Sequence, residues 1–153
     1  MPVSIPGNGK VLQVVSNLTT AKSSTTATIP SDNTTPQIGE GTQFLSVGIT
    51  PKRPDSMLLV LVNACINHSS NDDATMAVFR DAGANAIAVA STRSYGESGF
   101  PGLAFLVAAG SVSATTFTVR YGGNTATAFL NQRNGVTGPA GTTSSIVVME
   151  IAP

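Results

Sequence analysis

The stretch that decides the fold is Ser56-Met-Leu-Leu-Val-Leu-Val-Asn-Ala-Cys-Ile-Asn67, a nearly continuous apolar run. Pro54-Asp55 comes directly before it and a polar run from His68 to Asp73 follows it, and both flanks are typical of turns. Periodicity alone does not separate a buried strand from a buried helix segment, but the length and the flanks favour a strand. A strand that is apolar on both faces must be covered on both faces, so we expect at least two layers around it.

Other strand-like segments lie on both sides of this run, and none of them keeps a helical period. The predicted strands are 10–18, 37–49, 74–80, 86–91, 101–109, 114–121, 125–131 and 144–151. Segment 19–36 is rich in Thr and Ser, and we expect it to be irregular with at most one short strand near 25–29. Gly122-Gly-Asn124 is a hairpin turn signal. This pattern predicts an antiparallel β-sandwich or barrel of about eight to ten strands.

The length of 153 residues indicates one domain, which we place at 10–153 behind an irregular arm at 1–9. The first and last strands are both strongly apolar, so we expect both to lie inside the sheets rather than at an edge. Five side chains are predicted to form the centre of the core: Leu59, Leu61, Val119, Val147 and Met149.

Composition limits the kinds of partner. Only 10% of the residues are charged, against about 25% in ordinary soluble domains, and the formal net charge is zero. The sequence therefore has no basic patch for nucleic acid. So few charges protect a monomer poorly against association, which indicates a surface covered by further copies or by a partner. The chain has no signal-peptide pattern and no apolar run of the roughly 20 residues that a membrane helix needs, so we expect synthesis in a cytoplasm.

Catalytic chemistry is not expected. Cys65 and His68 are the only Cys and His, and three residues apart on a strand they point to opposite faces, which disfavours a nucleophile–base pair. One His cannot build a zinc site, although three copies of His68 around a threefold axis would supply three imidazoles, and this alternative stays open. Asp72-Asp73 is more consistent with a solvated turn than with a calcium loop. We therefore predict no catalytic residue, no metal site and no cofactor.

The best candidate for a recognition surface is the loop 92–100, which concentrates aromatic and charged side chains: Arg93, Tyr95, Glu97 and Phe100. Tyr and Arg are favoured contact residues, and the glycines in this loop allow it to adapt to a ligand. The alternative is that these aromatic rings fold back on the sandwich or against a neighbouring subunit.

Four quoted segments carry a resemblance to a known family. They are Gly9-Lys-Val-Leu-Gln-Val-Val15, then Ser46-Val-Gly-Ile-Thr-Pro51 followed by Leu58-Leu-Val-Leu-Val62, and finally Val148-Met-Glu-Ile151. In order and spacing, from about Gly9 to Ala152, they resemble a recurrent bacteriophage virion domain. The chain departs from that family at Lys52-Arg53-Pro54-Asp55, where relatives tend to be Ser-rich, and in lacking a long N-terminal fibre-anchoring region.

The resemblance implies a jelly roll that assembles as a homotrimer, similar to the tumour-necrosis-factor arrangement, on virus particles. Family members occur as distal domains of tail fibres and as stand-alone head-fibre or capsid decoration subunits. We favour a homotrimeric decoration or cement protein of the virion, because the chain needs no fibre shaft. Its expected partners are other copies of itself and the major capsid protein, which the arm at 1–9 and segment 19–36 are free to contact.

Two other functions remain as alternatives. The first is the receptor-binding tip of a tail fibre, whose partner is a host surface receptor or glycan. The second is a sandwich hydrolase that acts on polysaccharide. It is disfavoured because glycoside hydrolysis needs a paired set of Asp or Glu side chains, whereas the eight acids of this chain lie mostly in predicted turns.

Overall fold

A computed structural model describes residues 9–94, 98–133 and 141–153, and in these ranges the chain forms eleven strands and no helix. The strands are β1 Val11–Thr19, β2 Ser23–Thr25, β3 Thr42–Ile49, β4 Met57–Asn63, β5 Ile66–His68, β6 Asp72–Arg80, β7 Ala88–Ser94, β8 Gly102–Ala108, β9 Thr115–Gly123, β10 Ala128–Leu130 and β11 Ser144–Ile151. All pairs of neighbouring strands are antiparallel. The predicted all-β class is confirmed.

The strands form two four-stranded sheets and one small sheet. We call the sheet of order β1-β11-β4-β8 the front sheet and the sheet of order β3-β9-β6-β7 the back sheet, while β2-β10-β5 is the small sheet. The inward side chains of the front and back sheets meet in one continuous apolar cluster, which makes the fold a β-sandwich. Its centre contains Val60 and Val148 from the front sheet and Phe117 and Val119 from the back sheet, all fully buried.

The central apolar run divides into two strands rather than forming one. Residues up to Asn63 pair with β11 and β8 in the front sheet, whereas the residues from Ile66 onward pair with β10 in the small sheet. Between the two strands, the backbone N–H of Cys65 donates to the Ser144 hydroxyl at 3.0 Å. The second half of the run is fully buried in the small sheet, whereas only alternate residues of the first half are buried in the front sheet.

The core prediction is correct for Val119 but wrong for the other four side chains. Leu59 and Leu61 of β4, and Val147 and Met149 of β11, are only half-buried and do not belong to the core cluster. Their alternating neighbours fill the core instead: Leu58, Val60, Val62, Ile146 and Val148. Since successive side chains on a strand point to opposite faces, the four predicted residues lie on the outer face of the front sheet.

Segment 19–36 is more ordered than the sequence predicted, although most of its residues stay exposed. Its short strand is Ser23–Thr25 rather than one near 25–29, and it pairs with β10. Further along, Ile29 is buried in a cluster with Ala77 and Phe79. The segment therefore covers the outer face of β6, which explains why β6 is buried on both faces.

The hairpin predicted at residues 122–124 is also wrong, because Gly122 and Gly123 belong to β9 and the following strand β10 pairs with β2 and β5. A Cβ atom on Gly122 would lie 2.6 Å from the carbonyl oxygen of Ala27, and one on Gly123 would lie 2.5 Å from the His68 ring. These glycines permit close packing of neighbouring segments rather than a tight turn.

The corrected core makes a stability prediction with a matched control. Val119→Ala removes two methyl groups from a fully buried site and should lower the free energy of unfolding by about 2 kcal/mol. Val112→Ala makes the same change at a side chain that is 53% exposed, and it should shift the free energy by less than about 0.5 kcal/mol. Urea denaturation of both variants tests this, and equal effects would show that the core is misassigned.

Candidate functional site

The outer face of the front sheet is largely apolar. The register places Val14, Met149, Leu59 and Leu106 side by side across the four strands. The next row contains Ser16, Val147, Leu61 and Ala104. Near the edge of this face, Val14 is 53% exposed and Leu18 is 63% exposed. The described residues of these two rows carry no charged side chain, and Ser16 is the polar one among them, so the surface is mainly apolar.

The back sheet differs, because the chain itself covers part of its outer face. Ile29 and the partly buried Ile38 pack against Ala77 and Phe79 there. Arg120, further along the same face, donates from Nε to the Glu40 carbonyl oxygen at 2.7 Å and from Nη2 to the Gly41 carbonyl oxygen at 2.8 Å. Segment 28–41 thus covers part of the outer face of the back sheet.

The two lateral sides of the sandwich also differ. On the first side β1 and β3 are edge strands, so the expectation that the first strand lies inside a sheet is wrong. Side-chain amides join these two edges: Gln13 Nε2 donates to the Thr50 carbonyl at 2.7 Å, and Asn17 Nδ2 donates to the Ser46 carbonyl at 2.9 Å. These bonds satisfy carbonyl groups of the back-sheet edge and make this side polar.

On the second side β7 and β8 are the edge strands, and β7 combines apolar residues with Ser91, Thr92 and Arg93. Among the described residues no hydrogen bond is formed between β7 and β8. Ile87 is 43% exposed and Val89 is 40% exposed, while the inward side chains of β8 are only partly buried. Val89 pairs with Ala77, so Ile87 and Val89 lie on the outer face of the back sheet, whereas Leu103, Phe105 and Val107 face the core.

The fully buried carboxylate of Glu150 connects strands at one end of the sandwich. The segments that were quoted for the family resemblance meet at this end. Glu150 Oε1 accepts hydrogen bonds from the backbone N–H groups of Lys52 at 2.8 Å and Arg53 at 3.1 Å. Its Oε2 accepts one from Gln13 Nε2 at 2.6 Å. The carboxylate thereby joins β1, β11 and the turn before β4. None of the ion pairs among the described residues involves it, so backbone and amide donors alone compensate its charge.

The environment of Glu150 determines its protonation. Burial raises the pKa of this carboxyl group, but the hydrogen bonds from the Lys52 N–H, the Gln13 amide and the Arg53 N–H outweigh burial, so the net pKa is lowered. Sequence reasoning did not select Glu150. One signal in the sequence could have identified it: Glu150 is a single acidic residue at an inward position of the alternating apolar strand β11.

His68 is fully buried, and its ring is satisfied within one chain. Nε2 accepts from the Ala126 N–H at 3.2 Å, while Nδ1 lies 3.0 Å from the Ser70 hydroxyl. This position rules out the alternative of three His68 side chains meeting on a threefold axis. Cys65 is buried too, and burial raises the pKa of its thiol, which opposes a role as a thiolate nucleophile.

Asp72 and Asp73 are the first residues of β6 and do not form the predicted turn, and Asp72 is held by donors that include Asn124 and Thr125, which follow β9. The Thr125 hydroxyl donates to it at 2.7 Å, and the Asp73 N–H donates at 2.8 Å. Together with Asn124 these donors lower the pKa of Asp72 to about 2. The described residues contain no group of three or more His, Cys, Asp or Glu side chains able to hold a metal ion.

The predicted recognition loop is only partly described. Arg93 lies in β7 and pairs with Asp73 at 3.0 Å, and Phe100 is 61% exposed. Tyr95 and Glu97 lie outside the described residues. The exposed ring of Phe100 shows that this aromatic side chain does not fold back on its own sandwich.

Comparison with known proteins gives no relative on which to base a function. No family model matches the chain, and no curated protein is significantly similar to it. Within the described ranges no helix is long and apolar enough to cross a membrane.

The buried carboxylate makes a pH-dependent prediction. Glu150→Gln places an amide N–H against backbone donors, and we expect it to lower the free energy of unfolding by about 1–3 kcal/mol at neutral pH. The pKa is lowered in the folded state, so the contribution of the carboxylate is fully present above its unfolded value of about 4.3. This contribution is lost as the pH falls through the folded pKa.

Urea denaturation of wild type and Glu150→Gln between neutral and acidic pH measures this difference. It should shrink steadily below about pH 4.3. Glu40→Gln is the matched control, because that carboxylate accepts one backbone N–H at an exposed position and should change stability little. A difference that is constant across the acidic range would show that Glu150 is not ionised in the fold.

Proposed function

We propose that this protein is a structural component of a bacteriophage virion that assembles as a homotrimer and decorates the capsid. The uncharged apolar outer face of the front sheet carries this proposal. A soluble monomer rarely leaves so continuous an apolar face in water, whereas an assembled subunit buries it against a copy. The chain already covers part of its back sheet with its own segment, so the front sheet is the face left for assembly.

The positions of the quoted segments give further support. Three of them form β1, β4 and β11, which are neighbours in the front sheet. The polar residues within and beside the segments, Gln13, Lys52 and Glu150, are hydrogen-bonded to one another. The short apolar motifs therefore belong to one structural unit, as members of one domain family would require. A jelly-roll connection of the strands is part of the same proposal.

Capsid decoration fits the chemistry of such an assembly. A subunit that sits on a repeating shell needs many weak contacts, and three linked copies multiply a modest affinity by avidity. No cofactor or reaction is required. The arm at 1–9 is proposed as the contact to the shell because segment 19–36, the other candidate, packs on the sandwich.

A receptor-binding fibre tip is the second candidate, and the exposed ring of Phe100 favours it. Aromatic and Arg side chains at an accessible site are common in recognition surfaces. A fibre tip would bind host cells or their glycans in the absence of particles, whereas a decoration protein would not.

The trimer is tested by light scattering of the purified protein at micromolar concentration, where we expect the mass of three chains. Val147→Arg introduces a charge in the middle of the outer face and should give monomers, because an unpaired charge buried in an interface costs several kcal/mol. Thr116→Arg is the control, since that side chain is exposed on the back sheet and its replacement should leave the trimer intact. A wild-type monomer would reject the assembly.

Attachment is tested by co-sedimentation with particles that lack the protein. The full chain should sediment with them, and electron microscopy should locate it on the capsid rather than on the tail. Deletion of residues 1–9 should leave the melting temperature and the trimer unchanged but weaken sedimentation at least tenfold. Equal sedimentation of both proteins would contradict the arm as the contact, and location on a fibre tip would favour the second candidate.

A further inference from the structure

The arm at 1–9 joins the sandwich at an end where four segments meet: the start of β1, the end of β11, the turn before β4 and the turn between β8 and β9. The Lys10 carbonyl oxygen accepts from the Ala152 N–H at 2.9 Å, which fixes the root of the arm beside the end of β11. The Gly110 N–H donates to the Pro54 carbonyl oxygen at 3.0 Å and joins the two turns. We call this end of the sandwich the arm end.

Two exposed lysines lie at the arm end. Neither Lys10 nor Lys52 takes part in an ion pair among the described residues. Lys52 Nζ donates to the Leu12 carbonyl oxygen at 3.0 Å, so its ammonium group is held against β1 two residues from Lys10. The two positive charges therefore lie close together at the root of the arm.

The acidic side chains of the arm end already have other partners. Asp55 accepts from Arg53 Nε at 2.9 Å and from its Nη2 at 2.8 Å, and Asp81 lies 3.7 Å from Arg80. Glu150 is fully buried, and backbone N–H groups bind it. Within the described part of this end, the exposed charges that lack a counter-ion are thus positive.

The arm end also has an exposed apolar contact. Val112, in the turn between β8 and β9, is 53% exposed, and Pro54 in the neighbouring turn is exposed too. Apolar contacts beside charged side chains are the usual composition of a protein–protein interface. We define the arm-end surface by Lys10, Lys52, Arg53, Pro54 and Val112.

We infer that the arm-end surface docks on an acidic protein surface of the shell. This inference rests on the proposed capsid decoration and names the chemistry of the contact. An arm that is bound to the shell brings Lys10 next to it, because Lys10 directly follows the arm. Carboxylates on the shell would then supply the counter-ions that Lys10 and Lys52 lack within the chain.

Two observations favour a protein as the partner over nucleic acid. Val112 and Pro54 offer apolar contacts that a phosphate backbone cannot use, and the chain as a whole has zero formal net charge. Two ammonium groups per chain make a weak contact. In a homotrimer the contact is repeated three times, and avidity raises its strength.

The test is co-sedimentation of the full-length protein with particles that lack it, between about 0.05 M and about 0.5 M NaCl. Added salt screens exposed charges, so sedimentation of the wild type should weaken steadily across this range. The double variant Lys10→Glu with Lys52→Glu should sediment at least tenfold more weakly than the wild type at low salt. It should also lose most of the salt dependence.

The control is Lys22→Glu, which changes an exposed lysine beyond the opposite end of β1 and should stay within twofold of the wild type. Thermal melting and light scattering verify that each variant is folded and keeps its assembly. If the double variant does not fold because the Lys52 contact is lost, Lys10→Glu alone tests the same surface against Lys22→Glu with an equal change of charge.

The outcomes separate this inference from the proposed function. Wild type that binds particles equally at all salt concentrations, or variants of Lys10 that bind as well as Lys22→Glu, would overturn the inference and leave the decoration role intact. Wild type that does not sediment with particles at any salt concentration rejects both. Binding of the purified protein to duplex DNA that is lost in the double variant would assign the surface to nucleic acid and overturn the inference.

Discussion

Strands β4 and β11 are apolar on both faces, and the chain covers only their inner faces. Their inward side chains meet the back sheet in the core, which leaves Leu59, Leu61, Val147 and Met149 on the outside. At roughly 25 cal/mol per Å² of apolar surface, burying such a face is strongly favourable. Stability of the folded chain and the proposed association between copies therefore depend on the same two strands, and in the proposed homotrimer the folded state would gain stability with protein concentration.

The sequence predicted strand positions well because a period of two is a local property. It identified the correct face of β9, where Phe117, Val119 and Tyr121 alternate with polar residues and are all buried. It failed for β4 and β11 because their two faces have nearly the same hydropathy, so nothing local separates an inward Leu58 from an outward Leu59. Which face is inward depends on strand pairings far apart in the sequence, such as Leu59 with Met149.

The features that sequence reasoning missed all arise from long-range contacts. Glu150 is an unremarkable acid until the turn at Lys52-Arg53 presents its backbone N–H groups 97 and 98 residues away in the chain. Gly122 and Gly123 suggested a hairpin, yet they are required by the close approach of Ala27 and His68. The candidate site was equally hidden, because an outer apolar face is defined only after the inner face is known.

The chain covers part of the outer face of the back sheet but leaves the outer face of the front sheet open. This difference is the strongest argument for the proposed assembly. Segment 28–41 covers part of the back sheet, where Ile29 is buried beside Ala77 and Phe79. A chain that can cover one apolar sheet in this way has no physical obstacle to covering the second with another loop. Instead the outer face of the front sheet combines Val14, Leu61 and Val147 with no charge among its cross-strand rows. Since charges are the usual protection of exposed strands, their absence here is consistent with a surface whose normal environment is another protein.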